Sequence, residues 1–363
     1  MALPSRQRTP NPHLGAYYGI VASLFVSLAI LLAMAEQLGW SHRSIARLMI
    51  LMPMILYMAI AVAARTLNIE DFFVSGRRVP QVYNGFLLAA ITVGGTGFFA
   101  YTGALFFAGF DGLAIGLGWV CGLLLAGVLF VPYLRRVGAY TLPAFFEQRF
   151  RSRQTRMVAS VLQIAPTFLL VAAEVNIAAM VLSIFLPAAF WLCVLIVILF
   201  IAATGILGGM RALTWSGSAQ FITGSLGLAI PLTIVAVVLT NLPAPQFTYG
   251  EMLGSLMNAE VASGVATADP GSFTGLPGHE PAAAEKPFLQ TFGMISEAGY
   301  FALFVCFALG TAALPSLLAR SGVTASVADQ RRSTAWALLL VALFAITAPA
   351  LVVFAKVLMF GDI

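Results

Sequence analysis

Long apolar stretches, separated by short polar or proline-containing segments, follow one another from residue 14 to near the end of the sequence. Most of them reach the roughly 20 residues that an α-helix needs to cross the hydrocarbon core of a bilayer. The pattern therefore predicts an all-α polytopic membrane protein with about nine transmembrane helices. The predicted spans lie at about 14–35, 46–64, 82–108, 111–134, 157–183, 186–208, 212–240, 295–318 and 333–358.

Composition narrows the possible classes of protein. Hydrophobic residues make up 60% of the sequence and charged residues 9%, with a mean hydropathy of +0.96, so the chain cannot be an ordinary soluble globule. The cysteines Cys121, Cys193 and Cys306 fall inside apolar stretches and lack metal-ligand spacing. Because the sequence brings together no nucleophile, base and orienting group, we expect neither an enzyme nor a bound cofactor.

The basic residues are distributed unevenly between the two sides of the membrane. When the chain is threaded through nine spans, 15 of the 19 basic residues fall on the side of the N-terminus. By the positive-inside rule, this predicts a multi-pass protein of the cell (inner) membrane with a cytoplasmic N-terminus and an external C-terminus. Orientation accounts for the net charge of +5, so the bilayer is the expected partner and nucleic acid is not.

The third span contains an unusual cluster of glycines, Gly94, Gly95 and Gly97. Each glycine lowers helix propensity by about 1 kcal/mol relative to alanine, so this is where a spanning helix would most easily unwind. In secondary transporters, such interruptions expose backbone carbonyls to a substrate or ion near the midplane. The alternative is that the small residues only allow a neighbouring helix to pack closely.

The fifth span contains the only acidic residue predicted to lie deep in the membrane, Glu174. Gln163, Thr167 and Glu174 are four and seven residues apart, so they share one helical face that should point into the bundle. An ionisable group at that depth is costly and usually faces a cavity or a partner. Glu174 is either a structural hydrogen-bonding group or a group linked to transport.

Two further spans contain polar or interrupted stretches. In span seven, a seam of small and polar residues either lines a pathway or only packs; it consists of Ser216, Gln220, Thr223 and Gly227. Span eight has a predicted break at Gly310-Thr311, followed by Pro315, which removes a backbone donor from the helix. We expect Arg320, Arg331 and Arg332 to anchor the cytoplasmic turn that follows.

Shorter segments also give predictions. Thr141, with Pro143 in the first turn, should begin a short amphipathic cytoplasmic helix whose Glu147 pairs with nearby arginines. Residues 1–13 are expected to form a disordered tail. Residues 241–290 are expected to form one long external loop, in which His279 and Glu280 are too sparse for a metal site.

Several motifs, in a fixed order, resemble the sodium:solute symporter family and, within it, the cation/acetate-symporter branch. They are DFFVSGRRVP at 71–80, GFDGL at 109–113, LRRVGAYTLPAFFEQRF at 134–150, GGMRALTW at 208–215, GTAALPSLLAR at 310–320 and RRST at 331–334. The resemblance covers about residues 46–363. It implies two inverted five-helix repeats, sodium-driven uptake of a small solute, and alternating access.

The resemblance also implies a division of the chain. The segments would be a cytoplasmic tail (1–13), an extra N-terminal transmembrane helix and loop (14–45), the family's first helix with a cytoplasmic linker (46–81), the first repeat (82–240), an external loop (241–294) and the first two helices of the second repeat (295–363). The interrupted spans three and eight would then open the two repeats, as expected for a midplane site.

Family positions transfer to individual residues of this sequence. The sodium ligands would be the backbone carbonyls of Ala90 and Val93. The substrate-facing positions would lie near Gly94, Gly97 and Phe98. Glu174, Gln220 and Thr311 are added to the predicted substrate pathway from their positions in spans five, seven and eight. No other metal site is expected. The sequence departs from the family pattern at Ile91 and Gly94, where members commonly show a polar or acidic residue followed by serine, and at Ser316, where acetate-type members have histidine.

Length is the larger departure, because the family's second repeat needs five helices and the sequence supplies two. The sequence is a fragment, one part of a split protein or a degenerate product, and we favour a fragment or split product of a sodium-coupled symporter of a small organic solute, such as the monocarboxylate acetate. A second polypeptide would then complete the bundle. The alternative is a non-transporting, symporter-like membrane sensor or partner subunit.

Overall fold

The computed structural model describes residues 14–263, 288 and 291–360, and these residues form helices and turns without any strand. The expected tail at residues 1–13 and the loop residues His279 and Glu280 lie outside the described ranges. The chain divides into two compact units. The first comprises Met1–Ile91, Leu129–Leu226 and Pro315–Trp336, and the second Thr92–Val128, Gly227–Leu314 and Ala337–Ile363.

Thirteen α-helices are described, numbered here in chain order. They are α1 (Leu14–Gln37), α2 (His42–Ala63), α3 (Ile69–Val74), α4 (Gln81–Ala108), α5 (Leu113–Leu125), α6 (Val131–Val137), α7 (Leu142–Phe150), α8 (Arg153–Phe185), α9 (Phe190–Thr240), α10 (Pro245–Ser263), α11 (Glu297–Ala312), α12 (Pro315–Ala319) and α13 (Val327–Phe360). Short 3₁₀ turns occupy Ser75–Arg77, Gly109–Gly112 and Arg320–Gly322, and a π-helical turn occupies Ala126–Phe130.

Seven helical segments of the described chain are long and apolar enough to cross a membrane, which makes this a multi-pass membrane protein. The nine predicted spans are reached when two long segments are divided. Gly97–Val137 contains the 3₁₀ turn at Gly109–Gly112, and α9 contains the non-helical residue Gly209. A continuous helix of 51 residues would be about 75 Å long, far more than the bilayer thickness.

In the first unit, the DFFVSGRR motif forms a turn that returns onto itself. Ser75, Gly76 and Arg77 all have left-handed φ values, of 52°, 63° and 53°. This conformation brings Arg78 Nη2 to 2.8 Å from Asp71 Oδ1, and Arg211 Nη1 lies 3.1 Å from Asp71 Oδ2. A Cβ at Gly76 would lie 2.5 Å from that carboxylate. Position 76 therefore requires glycine for two reasons: the left-handed backbone conformation and the lack of space for a side chain.

Apolar packing in the first unit joins α1, α2, α8 and α9. One buried cluster packs α8 against the start of α9, with members Val175, Ala179, Leu182, Cys193 and Val197. Thr141 caps α7 by accepting a hydrogen bond from the backbone N–H of Ala144, as predicted. The predicted pairing of Glu147 is also confirmed, because Arg156 Nη1 lies 2.9 Å from its Oε2.

In the second unit, the glycines of α5 allow very close helix packing. A Cβ at Gly118 would lie 2.5 Å from Phe307 Cβ, and one at Gly122 would lie 2.6 Å from the Ala308 carbonyl oxygen, both on α11. Gly116 similarly faces the Tyr101 hydroxyl. The glycines of α5 therefore allow α11 to pack closely against it.

The second unit differs from the prediction in two places, at Asp111 and within the predicted external loop. Asp111 is fully buried, and its carboxylate accepts hydrogen bonds from the backbone N–H groups of Phe292, Met294 and Ile295 at 2.8–3.1 Å. Asp111 is thus more completely buried than Glu174, which is half-buried. The expected loop at 241–290 also contains a helix, α10, because its residues up to Ser263 form a regular hydrogen-bonded segment.

Candidate functional site

Helix α4 is interrupted at Gly94, in the middle of the predicted third span. Gly94 has φ 57° and ψ −175°, whereas the residues on either side continue the helix. This region of conformational space is essentially restricted to glycine. The helix is therefore kinked within the predicted glycine cluster, and the exposure of backbone carbonyls to an ion stays a prediction.

Downstream of the interruption, the second unit contains an aromatic cluster. A Cβ at Gly97 would lie 3.2 Å from the indole ring of Trp119. Trp119 packs edge-on against Tyr101, with ring centroids 5.3 Å apart, and Tyr101 lies 6.0 Å from Phe344. Phe98 also lies 5.8 Å from Phe344. Gly97 and Phe98, both predicted to face substrate, are thus half-buried against aromatic rings.

The second interruption lies slightly later in the chain than predicted. Helix α11 continues through Gly310 and Thr311, ends at Ala312, and α12 begins at Pro315. The physical reason is that proline disfavours the helical conformation of the residue before it. Thr311 is buried, and its side chain packs against Gly122. The Ser316 hydroxyl is buried and has no hydrogen-bond partner among the described residues.

The polar seam of α9 mainly packs against α2. Ser216 donates to the Tyr57 carbonyl at 3.1 Å, and the Thr223 hydroxyl is hydrogen-bonded to the Tyr57 hydroxyl. Both seam residues are buried, at 2% and 1% exposure. Gln220 is exposed and donates to Ser216 Oγ at 3.2 Å. Of the two interpretations left open, packing is the one that Ser216 and Thr223 support.

Glu174 lies on the less exposed face of α8. Gln163, Thr167 and Glu174 are all half-buried, whereas most of their neighbours along the helix are exposed. Val175, beside Glu174, belongs to the apolar cluster between α8 and α9. The shared face predicted from the spacing is therefore present, and the role of Glu174 in transport stays a prediction.

Sequence reasoning missed a buried polar network in the first unit. Arg320 was expected to anchor a cytoplasmic turn, but only 2% of it is exposed. Its Nε donates to Asn84 Oδ1 at 3.3 Å, and its Nη2 donates to Thr214 Oγ1 at 2.7 Å. Asn84 in turn donates to Gln330 Oε1 at 3.2 Å. Arg331 and Arg332 are exposed, as expected.

The predicted site residues are divided between the two units. Ala90, Glu174 and Gln220 belong to the first unit; Val93, Gly94, Gly97, Phe98 and Thr311 belong to the second. The predicted sodium ligands, the carbonyls of Ala90 and Val93, lie in the last turn before Gly94. Within the described ranges, no group of three His, Cys, Asp or Glu side chains could hold another metal ion.

Curated relatives of this chain are named as symporters or as a transporter. It is 24% identical to an uncharacterized symporter of Cupriavidus necator, in an alignment covering 98% of this chain and 64% of the relative. It is 25% identical to a monocarboxylic acid transporter of Corynebacterium glutamicum, covering 86% and 55%. An uncharacterized symporter of Bacillus subtilis is 28% identical over 180 residues. The chain thus spans less than two thirds of the length of these relatives.

The family model of the sodium:solute symporters matches residues 72–361. The match begins within the DFFVSGRR turn and includes both interrupted helices and the buried arginine network. The family consists of transporters and not of enzymes. With most of the chain matched, the protein belongs to the sodium:solute symporter family.

Proposed function

We propose that this chain is part of a sodium-coupled symporter that takes up a small organic monocarboxylate, such as acetate. The observation that supports this most strongly is the interruption of α4 at Gly94. Half-helix ends at such an interruption offer backbone carbonyls to a cation. We propose the carbonyls of Ala90 and Val93 as sodium ligands, consistent with the family's name.

The aromatic cluster beside Gly97 supports a small solute. Gly97 leaves no Cβ between the backbone and Trp119, and the neighbouring Phe98 lies 5.8 Å from Phe344. Such a surface suits a compact solute with a short apolar part better than a large polar one. The name of the Corynebacterium glutamicum relative, a monocarboxylic acid transporter, supports the choice of a carboxylate.

The proposed mechanism is a shift between two populations of conformations. Sodium binds better to an outward-open arrangement, and its differential affinity raises the population of that arrangement. The solute then enters beside Gly97 and Phe98, and the loaded protein converts to an inward-open arrangement. Gln220, Glu174 and Thr311 are proposed to line the path followed by the solute.

Uptake into proteoliposomes tests this function. The full-length symporter that contains this chain is purified and reconstituted, and uptake of radiolabelled acetate is measured under an inward sodium gradient and under an equal potassium gradient. We expect uptake several-fold above protein-free liposomes with sodium only. Sodium binding without uptake would instead favour a non-transporting sensor or partner subunit, and absence of both would contradict the proposal.

Two neighbouring phenylalanines supply a matched test of the solute position. Phe98 is half-buried and packs against Phe344, whereas Phe99 is 49% exposed. We expect Phe98→Ala to raise KM for acetate about tenfold or more, equivalent to about 1.4 kcal/mol of lost solute binding. Phe99→Ala should leave KM near the wild-type value. Equal KM values in both variants would remove Phe98 from the proposed solute path.

A further inference from the structure

Arg320 is a buried cation without a counter-ion among the described residues. Its exposed fraction is 2%, and none of the ion pairs found in the described ranges includes it. Its partners are neutral: Asn84 Oδ1, the Met210 sulfur at 3.0 Å and Thr214 Oγ1. A buried charge without an opposite charge is strongly unfavourable. The described side chains around Arg320 therefore do not neutralise its positive charge.

The guanidinium also has unused donors. An arginine side chain has five N–H groups, and the three bonds to Asn84, Met210 and Thr214 use one group each. The Thr214 hydroxyl accepts from Arg320 Nη2 and donates its own proton to the Met210 carbonyl at 2.6 Å. Two N–H groups of Arg320 thus remain available to an additional acceptor.

Gln330 provides a second, independent observation. It is fully buried, and its Nε2 has no hydrogen-bond partner among the described residues. Its Oε1 accepts from Asn84 Nδ2 and lies 3.0 Å from Thr324 Oγ1. The amide orientation is determined by the network: Asn84 Oδ1 faces Arg320, so Asn84 Nδ2 must donate to an oxygen of Gln330.

We propose that Arg320 and Gln330 bind one small monovalent anion. The two side chains flank a single amide, that of Asn84, and together present a positive charge and several unused N–H groups. The planar guanidinium matches a carboxylate or a comparable acceptor. A single cationic charge favours a monovalent anion, and the burial of both residues favours a small one. A monocarboxylate and a halide share this chemistry.

Thermal stability of the purified full chain tests the proposal. Tm is measured in sodium acetate, sodium chloride and sodium gluconate at equal ionic strength, gluconate being the bulky comparison anion. A ligand that binds only the folded state raises stability in proportion to ln(1 + [L]/Kd). We expect acetate, chloride or both to raise Tm by about 3 °C or more over gluconate. A response to acetate alone assigns a carboxylate to this site if Phe98→Ala, on the proposed solute path, keeps the response and Arg320→Gln removes it. A response to chloride alone assigns a halide.

Three variants make the test specific. Arg320→Gln should abolish the anion-dependent shift. Gln330→Glu places a carboxylate inside the network, so it should raise Tm in gluconate and remove the response to added anions. Arg331→Gln removes an exposed arginine next to Gln330 and should keep the wild-type response. If Arg320→Gln fails to fold, Gln330→Glu and Arg331→Gln still decide the question.

Two results would overturn the proposal. One is a wild-type Tm that is the same in all three anions, and the other is a Gln330→Glu variant that responds as the wild type does. Because every condition contains the same sodium concentration, the outcome is independent of sodium coupling. Failure of the anion site would therefore leave the proposed transport function untouched, and the reverse also holds.

Discussion

The indole ring of Trp119 lies so close to Gly97 that a Cβ at position 97 would be 3.2 Å from its Cη2 atom. Gly97 follows the interruption of α4 by three residues, and Trp119 belongs to α5. The two residues thus fix how the second half of α4 packs on α5 inside the second unit. Trp119 is only 5% exposed and has little room to move.

This contact predicts a specific rescue. Gly97→Leu should destabilise the protein by about 1–3 kcal/mol, because its side chain overlaps Trp119. Trp119→Phe introduces a smaller ring, so the double variant should recover part of the stability that Gly97→Leu loses. Thermal unfolding of the wild type, both single variants and the double variant measures the coupling. Strict additivity of the two effects would show that Gly97 and Trp119 do not interact in this way.

The Asp111 carboxylate predicts a large effect from a conservative substitution. In Asp111→Asn, an NH₂ group replaces one oxygen and faces backbone N–H groups of Phe292, Met294 or Ile295. Leaving such buried donors unpaired costs about 1–3 kcal/mol. Tm of this variant should fall clearly, whereas Glu297→Gln, at an exposed acid of α11, should change it little. Equal Tm values for the two variants would refute the structural role of Asp111.

A glycine at the α5–α11 contact and an exposed glycine of α11 predict opposite effects from the same substitution. Gly122→Ala places a Cβ 2.6 Å from the Ala308 carbonyl oxygen, so Tm should fall. Gly310→Ala, on α11, meets nothing within 4 Å. It should leave Tm unchanged or raise it, because alanine favours a helix by up to about 1 kcal/mol. A larger loss at position 310 than at position 122 would contradict this packing.

Local features of the sequence predicted much of the fold. The lengths of the apolar stretches predicted the helices, and the glycine cluster predicted the interruption at Gly94. Thr141 predicted the start of α7. These three features could be predicted because each depends on residues that are close together in the chain. The division at Gly209 was already visible as a glycine pair between spans six and seven. The second interruption follows Ala312 and not Gly310-Thr311, because Pro315 disfavours the helical conformation of Leu314 whereas one glycine can remain within a helix.

Contacts between distant parts of the chain could not be predicted in this way. Arg320 was assigned to a surface turn because arginines follow most cytoplasmic ends, yet its partner Asn84 is 236 residues away. Asp111 contacts a segment 181 or more residues later. Hydrophobic periodicity shows which face of a helix is buried, but not which polar group meets another inside. The buried polar network could have been suspected from Asn84 and Gln330, which are polar residues at the edges of apolar stretches.

The most direct test of the account is the sodium-dependent stability of two glycine variants of α4. Gly94→Ala places a side chain at φ 57°, where glycine is strongly favoured. Gly103→Ala, in the same helix, meets nothing within 4 Å. Tm is compared in sodium and potassium salts of one anion at equal ionic strength. We predict that sodium raises Tm of the wild type and of Gly103→Ala but not of Gly94→Ala; a full sodium response in Gly94→Ala would contradict the proposal that this interruption binds the coupling ion.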